Sequence, residues 1–160
     1  MAKLDFILKK FSELTTRELY DILQLRSEVF VVEQDCVYQD IDGKDEKALH
    51  LFAYKAEVMV AYARLFGPGD YFEKASIGRV VIKETERKYG FGHQLMEAAN
   101  KAVEEHFNTS KIHLSAQQYL VKFYNAHGYK EVGEGYLEDG IPHIGMEKSS
   151  RSVTKAKERQ

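Results

Sequence analysis

The order of the predicted elements indicates an α+β or mixed α/β fold, with helices on the faces of one sheet. Apolar runs of strand type and apolar stripes of helical spacing follow one another as β, α, three strands, α, β, α and two strands. The chain has 160 residues, 44% of them hydrophobic and 30% charged, and no internal repeat. These values predict one domain over residues 1–148, followed by a polar, disordered tail over 149–160.

The first half of the chain predicts a strand, a long helix and a hairpin. Phe6-Ile7-Leu8 is a short strand, and Thr15-Thr16-Arg17-Glu18 is a capping box that starts a helix running to about Gln34. An acidic loop over 35–47 follows, broken by a turn at Asp42-Gly43. Two strands, 48–54 and 58–65, are joined by a tight turn.

The second half predicts two strand–helix units and a closing hairpin. A strand over 76–82 leads into a glycine-containing loop and a helix that ends between 106 and 110. One face of that helix is apolar, and it carries Phe91, Leu95, Met96, Ala99 and Val103. A strand over 111–115, a short helix over 118–126 and strands over 129–136 and 143–147 complete the pattern, with a turn at Glu138-Asp139-Gly140.

Charge and cysteine content exclude several classes of partner. The net charge of −2 gives no support for binding nucleic acid or a membrane surface. No apolar run is long enough to cross a bilayer, and the first residues show no secretory pattern, so a cytoplasmic location is expected. Cys36 is the only cysteine, so neither an intrachain disulfide nor a cysteine-built metal site is expected.

The most informative segment is the loop Arg87-Lys88-Tyr89-Gly90-Phe91-Gly92, which opens the second helix. Unpaired N–H groups at a helix start bind phosphate, and the Arg87 guanidinium is a suitable second ligand. A P-loop would need Gly-Lys-Ser/Thr where Gly92-His93-Gln94 stands, and a dinucleotide fold would need a third glycine at Leu95. These differences argue against a P-loop and against a dinucleotide-binding fold. The loop alone therefore does not identify the molecule whose phosphate it would bind.

Several motifs together resemble the GNAT family of acyl-CoA-dependent N-acetyltransferases, and within it the ElaA-like branch. The resemblance covers about residues 3–148. It rests on Arg-x-x-Gly-x-Gly, on the Phe123-Tyr124 to Gly128-Tyr129 segment, and on three stretches at 25–34, 38–43 and 138–143. It implies a central, mostly antiparallel sheet of six or seven strands with helices on both faces, and acetyl-CoA as co-substrate.

The resemblance assigns a donor site. The loop would hold the CoA pyrophosphate and the preceding strand would pair with the pantetheine arm, while Gln117 supplies the amide that the family often provides as Asn. The implied CoA-binding residues are Val80, Val81, Ile82, Arg87, Lys88, Tyr89, Gly90, Phe91, Gly92, His93, Gln117 and Tyr124. Tyr124 falls at the position of the family's general acid, where a phenol can protonate the leaving thiolate.

The acceptor side is less defined. An amine must lose its proton to attack, so a base is needed, and Glu33, Asp40, Asp42, His50 and His143 are the candidates. We take His143 and Glu33 as catalytic candidates, and Arg26, Glu33, Asp42, His50 and His143 as acceptor-binding candidates. Arg26 lies on the apolar stripe of its helix, so an architectural ion pair with Glu33 or Asp42 is an alternative.

The expected partner is a small-molecule or peptide amine, with a homodimer possible and no metal. The acidic residues between Asp40 and Glu46 are either a solvated surface or a feature that attracts a cationic amine. The leading interpretation is direct attack of the amine on acetyl-CoA in a ternary complex. A CoA-binding regulatory domain without turnover, or a nucleotide-binding module of another class, is the alternative.

Overall fold

A computed structural model describes residues 3–149 of the chain. Its strands are β1 (Phe6–Lys10), β2 (Leu49–Lys55), β3 (Val58–Phe66), β4 (Ala75–Ile82), β5 (Ile112–Gln117), β6 (Lys130–Glu138) and β7 (Ile141–Lys148). Its helices are α1 (Thr16–Arg26), α2 (Phe91–Phe107) and α3 (Val121–Asn125). The tail predicted over 149–160 lies, from residue 150 onward, outside the described residues.

The strands form one seven-stranded sheet in the order β1-β2-β3-β4-β5-β7-β6. Every neighbouring pair is antiparallel except β4 and β5, which run parallel. Side chains on one face pack under α1, with Ile22 and Leu25 against Phe52 and Tyr62. The other face packs against α2 through Leu95, Met96, Ala99 and Val103. This mostly antiparallel sheet with helices on both faces confirms the predicted fold class.

The start of α1 follows directly from the sequence. The Thr15 hydroxyl accepts from the Glu18 N–H at 3.0 Å, and the Glu18 carboxylate accepts from the Thr15 N–H at 2.9 Å. This capping box satisfies two N–H groups that the first helical turn leaves unpaired. The prediction of the box is therefore confirmed.

The predicted continuation of this helix to Gln34 takes a different form. From Ser27 to Glu33 the backbone widens into π-helical turns. The wider turn changes which side chains share a face, so the pattern of a regular helix no longer applies beyond Arg26. As a result Val29, Phe30, Glu33 and Gln34 line the cleft described below.

Candidate active site

The central sheet forks between its two parallel strands. β4 and β5 pair only at Ala75 with Ile112 and at Ser76 with His113, although the strands have 8 and 6 residues. Beyond Ser76, β4 stays with β3 and β5 stays with β7. Main-chain groups on the facing edges of β4 and β5 therefore line a cleft, and they are available to a ligand.

A β-bulge at Arg79 aims the β4 edge into this cleft. The pairing of β3 with β4 shifts between Tyr62 and Arg64, and Arg79 adopts a φ of +49°. A non-glycine residue in the left-handed region is strained, and the surrounding structure must hold it there. Arg79 Nε donates to Asp40 Oδ1 at 2.8 Å, and Arg79 Nη2 donates to the Asp40 carbonyl at 3.0 Å.

Behind the bulge, three arginines neutralise three aspartates of the acidic loop. Arg26 donates to Asp40 at 2.9 Å and to Asp45 at 2.8 Å, and Arg64 donates to Asp45 at 2.9 Å. A second branch links Arg64 Nη2 to Asp42 Oδ2 at 2.8 Å. The expected partners of Arg26, Glu33 or Asp42, are thus replaced by Asp40 and Asp45. The loop is neither a solvated surface nor a free acidic one, because its carboxylates at these positions are already paired.

The network shifts the ionisation of its carboxylates. Burial alone would raise the pKa of Asp42, but hydrogen bonds from Arg64 and from the Lys44 N–H, together with the charges of Arg64 and Arg79, hold it well below its usual range. The pKa of Asp45 is lowered too, because Arg26 and Arg64 outweigh the effect of burial. Both carboxylates therefore stay charged, and neither is a base for an amine.

His50 belongs to the same buried layer and does not line the cleft. Its Nδ1 lies 2.7 Å from the Tyr62 hydroxyl, and its Nε2 lies 2.9 Å from the Asp45 carbonyl. Burial lowers its pKa, with the positive charges of Arg26 and Arg64 adding to the shift. Both ring nitrogens are therefore occupied, and His50, Arg26 and Asp42 support the bulge from behind.

The larger part of the cleft is a cavity of about 390 Å³ between α3, β4 and the π-helical segment, hereafter the donor cavity. Many of the predicted CoA-binding residues line it: Val80, Val81, Ile82, Arg87, Gly92, Gln117 and Tyr124. Phe30, Leu120 and Phe123 add apolar wall. The cavity thus brings the β4 edge, the start of α2 and Tyr124 to one place.

The start of α2 is shaped to receive an anion. Gly90 takes a φ of +76° and lets the chain turn from the 3₁₀ segment Glu84–Tyr89 into the helix. A Cβ on Gly92 would lie 3.4 Å from the Phe123 ring, so this side of the helix can approach α3 closely. His93 Nδ1 lies 2.8 Å from His127 Nε2, while Lys88 and Tyr89 are exposed at the rim. N–H groups of the first turn carry the positive end of the helix dipole.

Arg87 and Glu33 close the mouth of the donor cavity. Arg87 Nη2 donates to Glu33 Oε1 at 2.8 Å, and Arg87 Nε donates to the Ile82 carbonyl at 3.1 Å. The pair with Glu33 raises the pKa of Arg87, so the guanidinium is always charged. Glu33 therefore lies on the donor side, against the residue that the sequence assigns to phosphate.

A smaller cavity of about 110 Å³ continues the cleft on the far side of Tyr124, hereafter the acceptor cavity. Gln34, Tyr38, Arg79, Ser115, Glu138 and His143 line it, together with Tyr124 itself. Glu138 is held at the end of β6 by a bond of 3.1 Å from the Ser115 hydroxyl to its carboxylate. The acceptor cavity therefore combines a phenol, an imidazole and a carboxylate.

His143 presents one basic nitrogen to this cavity. Its Nδ1 lies 2.7 Å from the Ile141 carbonyl oxygen, which can only accept, so Nδ1 carries the proton. In the neutral ring Nε2 then holds the lone pair. Nε2 lies 3.9 Å from Glu138 Oε2.

Tyr124 stands where the two cavities meet, since it lines both. The side chain is buried, and its hydroxyl makes no hydrogen bond to any residue within 3–149 that the structure records. Burial raises its pKa. The hydroxyl therefore keeps its proton near neutral pH and is available as a donor to a ligand.

Two further observations bound the chemistry. Within residues 3–149 there is no cluster of three or more His, Cys, Asp or Glu side chains that suits a metal ion. No helix of the same part of the chain is long and apolar enough to cross a membrane.

A forked sheet with the start of a helix beside the fork is the architecture of the acyl-CoA N-acyltransferase fold. The model of the acetyltransferase (GNAT) domain matches residues 12–150. The chain therefore belongs to the GNAT acetyltransferase family, and its 45% identity to the E. coli protein ElaA, over 84% of this chain and 90% of that one, places it in the ElaA-like branch that the sequence motifs predict.

Solved structures agree with this assignment. The chain is 41% identical to Escherichia coli ElaA, with a TM-score of 0.86 over 92% of this chain and 100% of that one. It is 46% identical to an acyl-CoA N-acyltransferase from Pseudomonas aeruginosa, with a TM-score of 0.86 over 91% of this chain and 100% of that one. An acetyltransferase from Bacillus subtilis in complex with CoA shares the fold at 20% identity, with a TM-score of 0.62 over 92% and 99% of the two chains.

Sequence reasoning missed Arg64, Arg79 and Glu138 as individual site residues. A signal for Arg79 is present, because a glycine followed by arginine inside an apolar strand is typical of a bulge. Arg64 offers a weaker one, as a lone cation in an otherwise apolar strand. Glu138 begins the 138–143 stretch that carries the resemblance, and the hairpin of β6 and β7 brings it to His143.

Proposed function

We propose that the protein transfers an acetyl group from acetyl-CoA to a primary amine by direct attack in a ternary complex. The observation that carries this proposal is Tyr124, a buried phenol with a free hydroxyl at the junction of two cavities. A thioester entering from the donor side and an amine entering from the acceptor side would meet beside it. Such positioning of two reactants is the main requirement for direct transfer.

The donor cavity suits acetyl-CoA in shape and chemistry. Main-chain groups of Val80 to Ile82 at the β4 edge can pair with the amides of the pantetheine arm, as an added strand would. N–H groups between Gly90 and His93 can bind the pyrophosphate, with Arg87, Lys88 and Tyr89 beside it. The complex of CoA with the B. subtilis acetyltransferase supports a CoA-type co-substrate for this fold.

His143 and Tyr124 divide the proton transfers. The neutral amine attacks the thioester carbonyl carbon, and Nε2 of His143 accepts the proton that its nitrogen loses as the nitrogen–carbon bond forms. When the carbon–sulfur bond breaks, Tyr124 donates its proton to the departing sulfur. The products are the N-acetylated amine and CoA with a free thiol. Glu33, which lines the donor cavity, is the second candidate for the base, through a chain of water molecules.

Release of CoA thiol over a panel of primary amines tests this proposal. Tyr124→Phe should leave the affinity for acetyl-CoA within about twofold and lower kcat by about 10²-fold, the usual range for loss of a general acid. Tyr119→Phe is the matched control, because Tyr119 also lines the donor cavity but is highly exposed.

Two results would argue against the proposal. Unchanged turnover in Tyr124→Phe would remove the general-acid role. Tight CoA binding without thiol release on any amine would favour the alternative, a CoA-binding regulatory domain.

A further inference from the structure

A third cavity, of about 80 Å³, continues the acceptor cavity away from Tyr124, hereafter the distal cavity. The two share Ile77, Gly78, Arg79, Ser115 and Glu138, so they adjoin at the bulge. Arg64, Ser76 and three aromatic side chains close the far end. A molecule whose amine lies beside His143 can therefore extend past the bulge into the distal cavity.

Two buried polar atoms of the residues that line this cavity have no partner among residues 3–149. They are Arg64 Nε and Ser76 Oγ, on side chains of residues that are 1% and 2% exposed. The other Arg64 nitrogens bind Asp42 and Asp45, so Nε is the one nitrogen of that guanidinium without a partner among residues 3–149. Arg64 pairs with Gly78 and Phe66 pairs with Ser76, so Arg64 and Ser76 are diagonal neighbours on one face of the sheet. Buried polar groups are almost always hydrogen-bonded, and two exceptions on neighbouring residues indicate a missing partner.

The chemistry of the two atoms defines that partner. An arginine Nε–H only donates, and a serine hydroxyl can donate as well, so each can bind an oxygen atom. Arg26, Arg64 and Arg79 are balanced by Asp40, Asp42 and Asp45, and Glu138 is the one further charged residue that lines the distal cavity. The Glu138 carboxylate would repel an anionic group in this cavity, but it would not repel an uncharged carbonyl.

The remaining walls are aromatic. Phe66 and Tyr71 stack with their ring centroids 4.9 Å apart, and Phe72 packs edge-on against Tyr71 at 4.8 Å. These rings favour a flat, uncharged group, as an amide or ester is. The guanidinium carbon of Arg64 lies 5.1 Å from the Phe66 centroid, so the polar and aromatic walls meet at one point.

We propose that the distal cavity binds an uncharged carbonyl group at the far end of the acceptor amine, through Arg64 Nε and Ser76 Oγ. The inference rests on the proposed function, since it treats the adjoining cavity as the amine site. It names the acceptor class as a primary amine joined by a short linker to an amide or ester carbonyl. Simple alkylamines lack the oxygen and leave both buried atoms unpaired.

A matched amine series tests the proposal. ω-Amino amides with two to six methylenes are compared with isosteres in which an isopropyl group replaces the amide. For the wild-type protein, kcat/KM should favour the amide by tenfold or more at one chain length, because a site with unpaired polar groups discriminates against an isostere that lacks the oxygen. In Ser76→Ala the preference should fall to threefold or less.

Ser76→Ala is a mild substitution, since the hydroxyl that it removes has no partner among the described residues. Ser110→Ala is the control. Its hydroxyl binds the Ser149 carbonyl at 3.4 Å, and Ser110 lines none of the three cavities, so the preference should remain. A wild-type preference below twofold at every chain length, or a preference that survives Ser76→Ala, overturns the proposal.

A binding measurement separates this proposal from the proposed function. Titration calorimetry of the CoA-loaded protein with the N-acetylated amide and its isopropyl isostere needs no turnover. Tighter binding of the amide, lost in Ser76→Ala, supports the subsite even if no amine is acetylated. Equal binding of the two, as expected if the cavity holds only water, overturns the subsite even if amines are acetylated.

Discussion

Glu33 and Arg87 face each other across the mouth of the donor cavity, with Arg87 Nη2 2.8 Å from Glu33 Oε1. The pair joins a π-helical segment after α1 to the loop before α2, two elements that come from opposite faces of the sheet. A pyrophosphate bound by Arg87 must compete with the Glu33 carboxylate. In the free protein, Glu33 therefore holds the Arg87 guanidinium in position and neutralises part of its charge.

Glu33→Gln should tighten the binding of CoA. Removing the competing carboxylate frees Arg87, and because an exposed pair is worth at most about 1 kcal/mol the gain should be about two- to fivefold in Kd. Arg87→Gln should weaken binding. Titration calorimetry with CoA measures both, and dephospho-CoA, which retains the pyrophosphate, should show the same gain. Weaker binding in Glu33→Gln would show instead that Glu33 contacts CoA favourably.

His143→Asn should lower kcat/KM for amines by about 10²-fold while leaving CoA affinity within twofold. The imidazole lines the acceptor cavity and not the donor cavity, and its free Nε2 is the proposed base. The control is His113→Asn, at a histidine paired with Glu147 and outside both cavities. Steady-state thiol release decides which of the two residues is the base. A fall in kcat/KM in Glu33→Gln with an unchanged value in His143→Asn would assign the base to Glu33.

Two substitutions of Arg79 should distinguish how backbone strain at the bulge and the hydrogen bonds of the Arg79 side chain each affect stability. Arg79→Ala removes the two bonds to Asp40 but keeps a side chain at a φ of +49°, and should cost about 2 kcal/mol of stability. Arg79→Gly removes the same bonds and relieves the strain, so it should be about 1 kcal/mol more stable than Arg79→Ala. Urea denaturation of the pair measures the difference. Equal stabilities would mean that the backbone at 79 is not strained.

Local chemistry accounts for what the sequence predicts well. The Thr15–Glu18 box, the apolar stripe of α2 and the turn at Asp139-Gly140 each depend on residues only a few positions apart. These elements appear in the structure at the predicted places. The assignment of the donor side also depends on local sequence, because strand, glycine loop and helix are consecutive, and it stays a prediction.

The features that sequence reasoning misses depend on long-range pairing. Asp40, Asp42 and Asp45 are equivalent in the sequence, and only the folded sheet decides that Arg26 binds Asp40 and Asp45 while Arg64 also binds Asp42. The fork is not visible in the sequence either, since nothing in β4 or β5 marks Ser76 and His113 as the last residues that pair. The acceptor side is built from such pairings, and it is therefore the part that the sequence leaves open.

Acid should unfold the protein through the Asp42 and Asp45 carboxylates. Their pKa values in the folded state lie below the ordinary 3.8, so the unfolded chain takes up protons first as the pH falls. The stability that they contribute is complete above about pH 5 and is lost as the pH falls through the folded-state values. Asp42→Asn should lower the free energy of unfolding at pH 7 and flatten its decline below pH 5. Urea titrations across this range test it, and an unchanged slope in Asp42→Asn would contradict the assignment.

The turn between β2 and β3 should be stabilised by glycine. Lys55 pairs with Val58, so Ala56 and Glu57 form a two-residue turn, and their φ angles are +50° and +69°. Such a turn requires the left-handed region at both positions and favours Asn-Gly, whereas side chains with a Cβ are strained there. Glu57→Gly should therefore raise the free energy of unfolding by about 1 kcal/mol.

The turn between β6 and β7 allows the opposite substitution. Gly140 has a φ of +79°, and Gly140→Ala should lower stability by a similar amount. Thermal and urea denaturation of the two variants check the signs, and a loss of stability in Glu57→Gly would show that its side chain makes contacts that outweigh the strain.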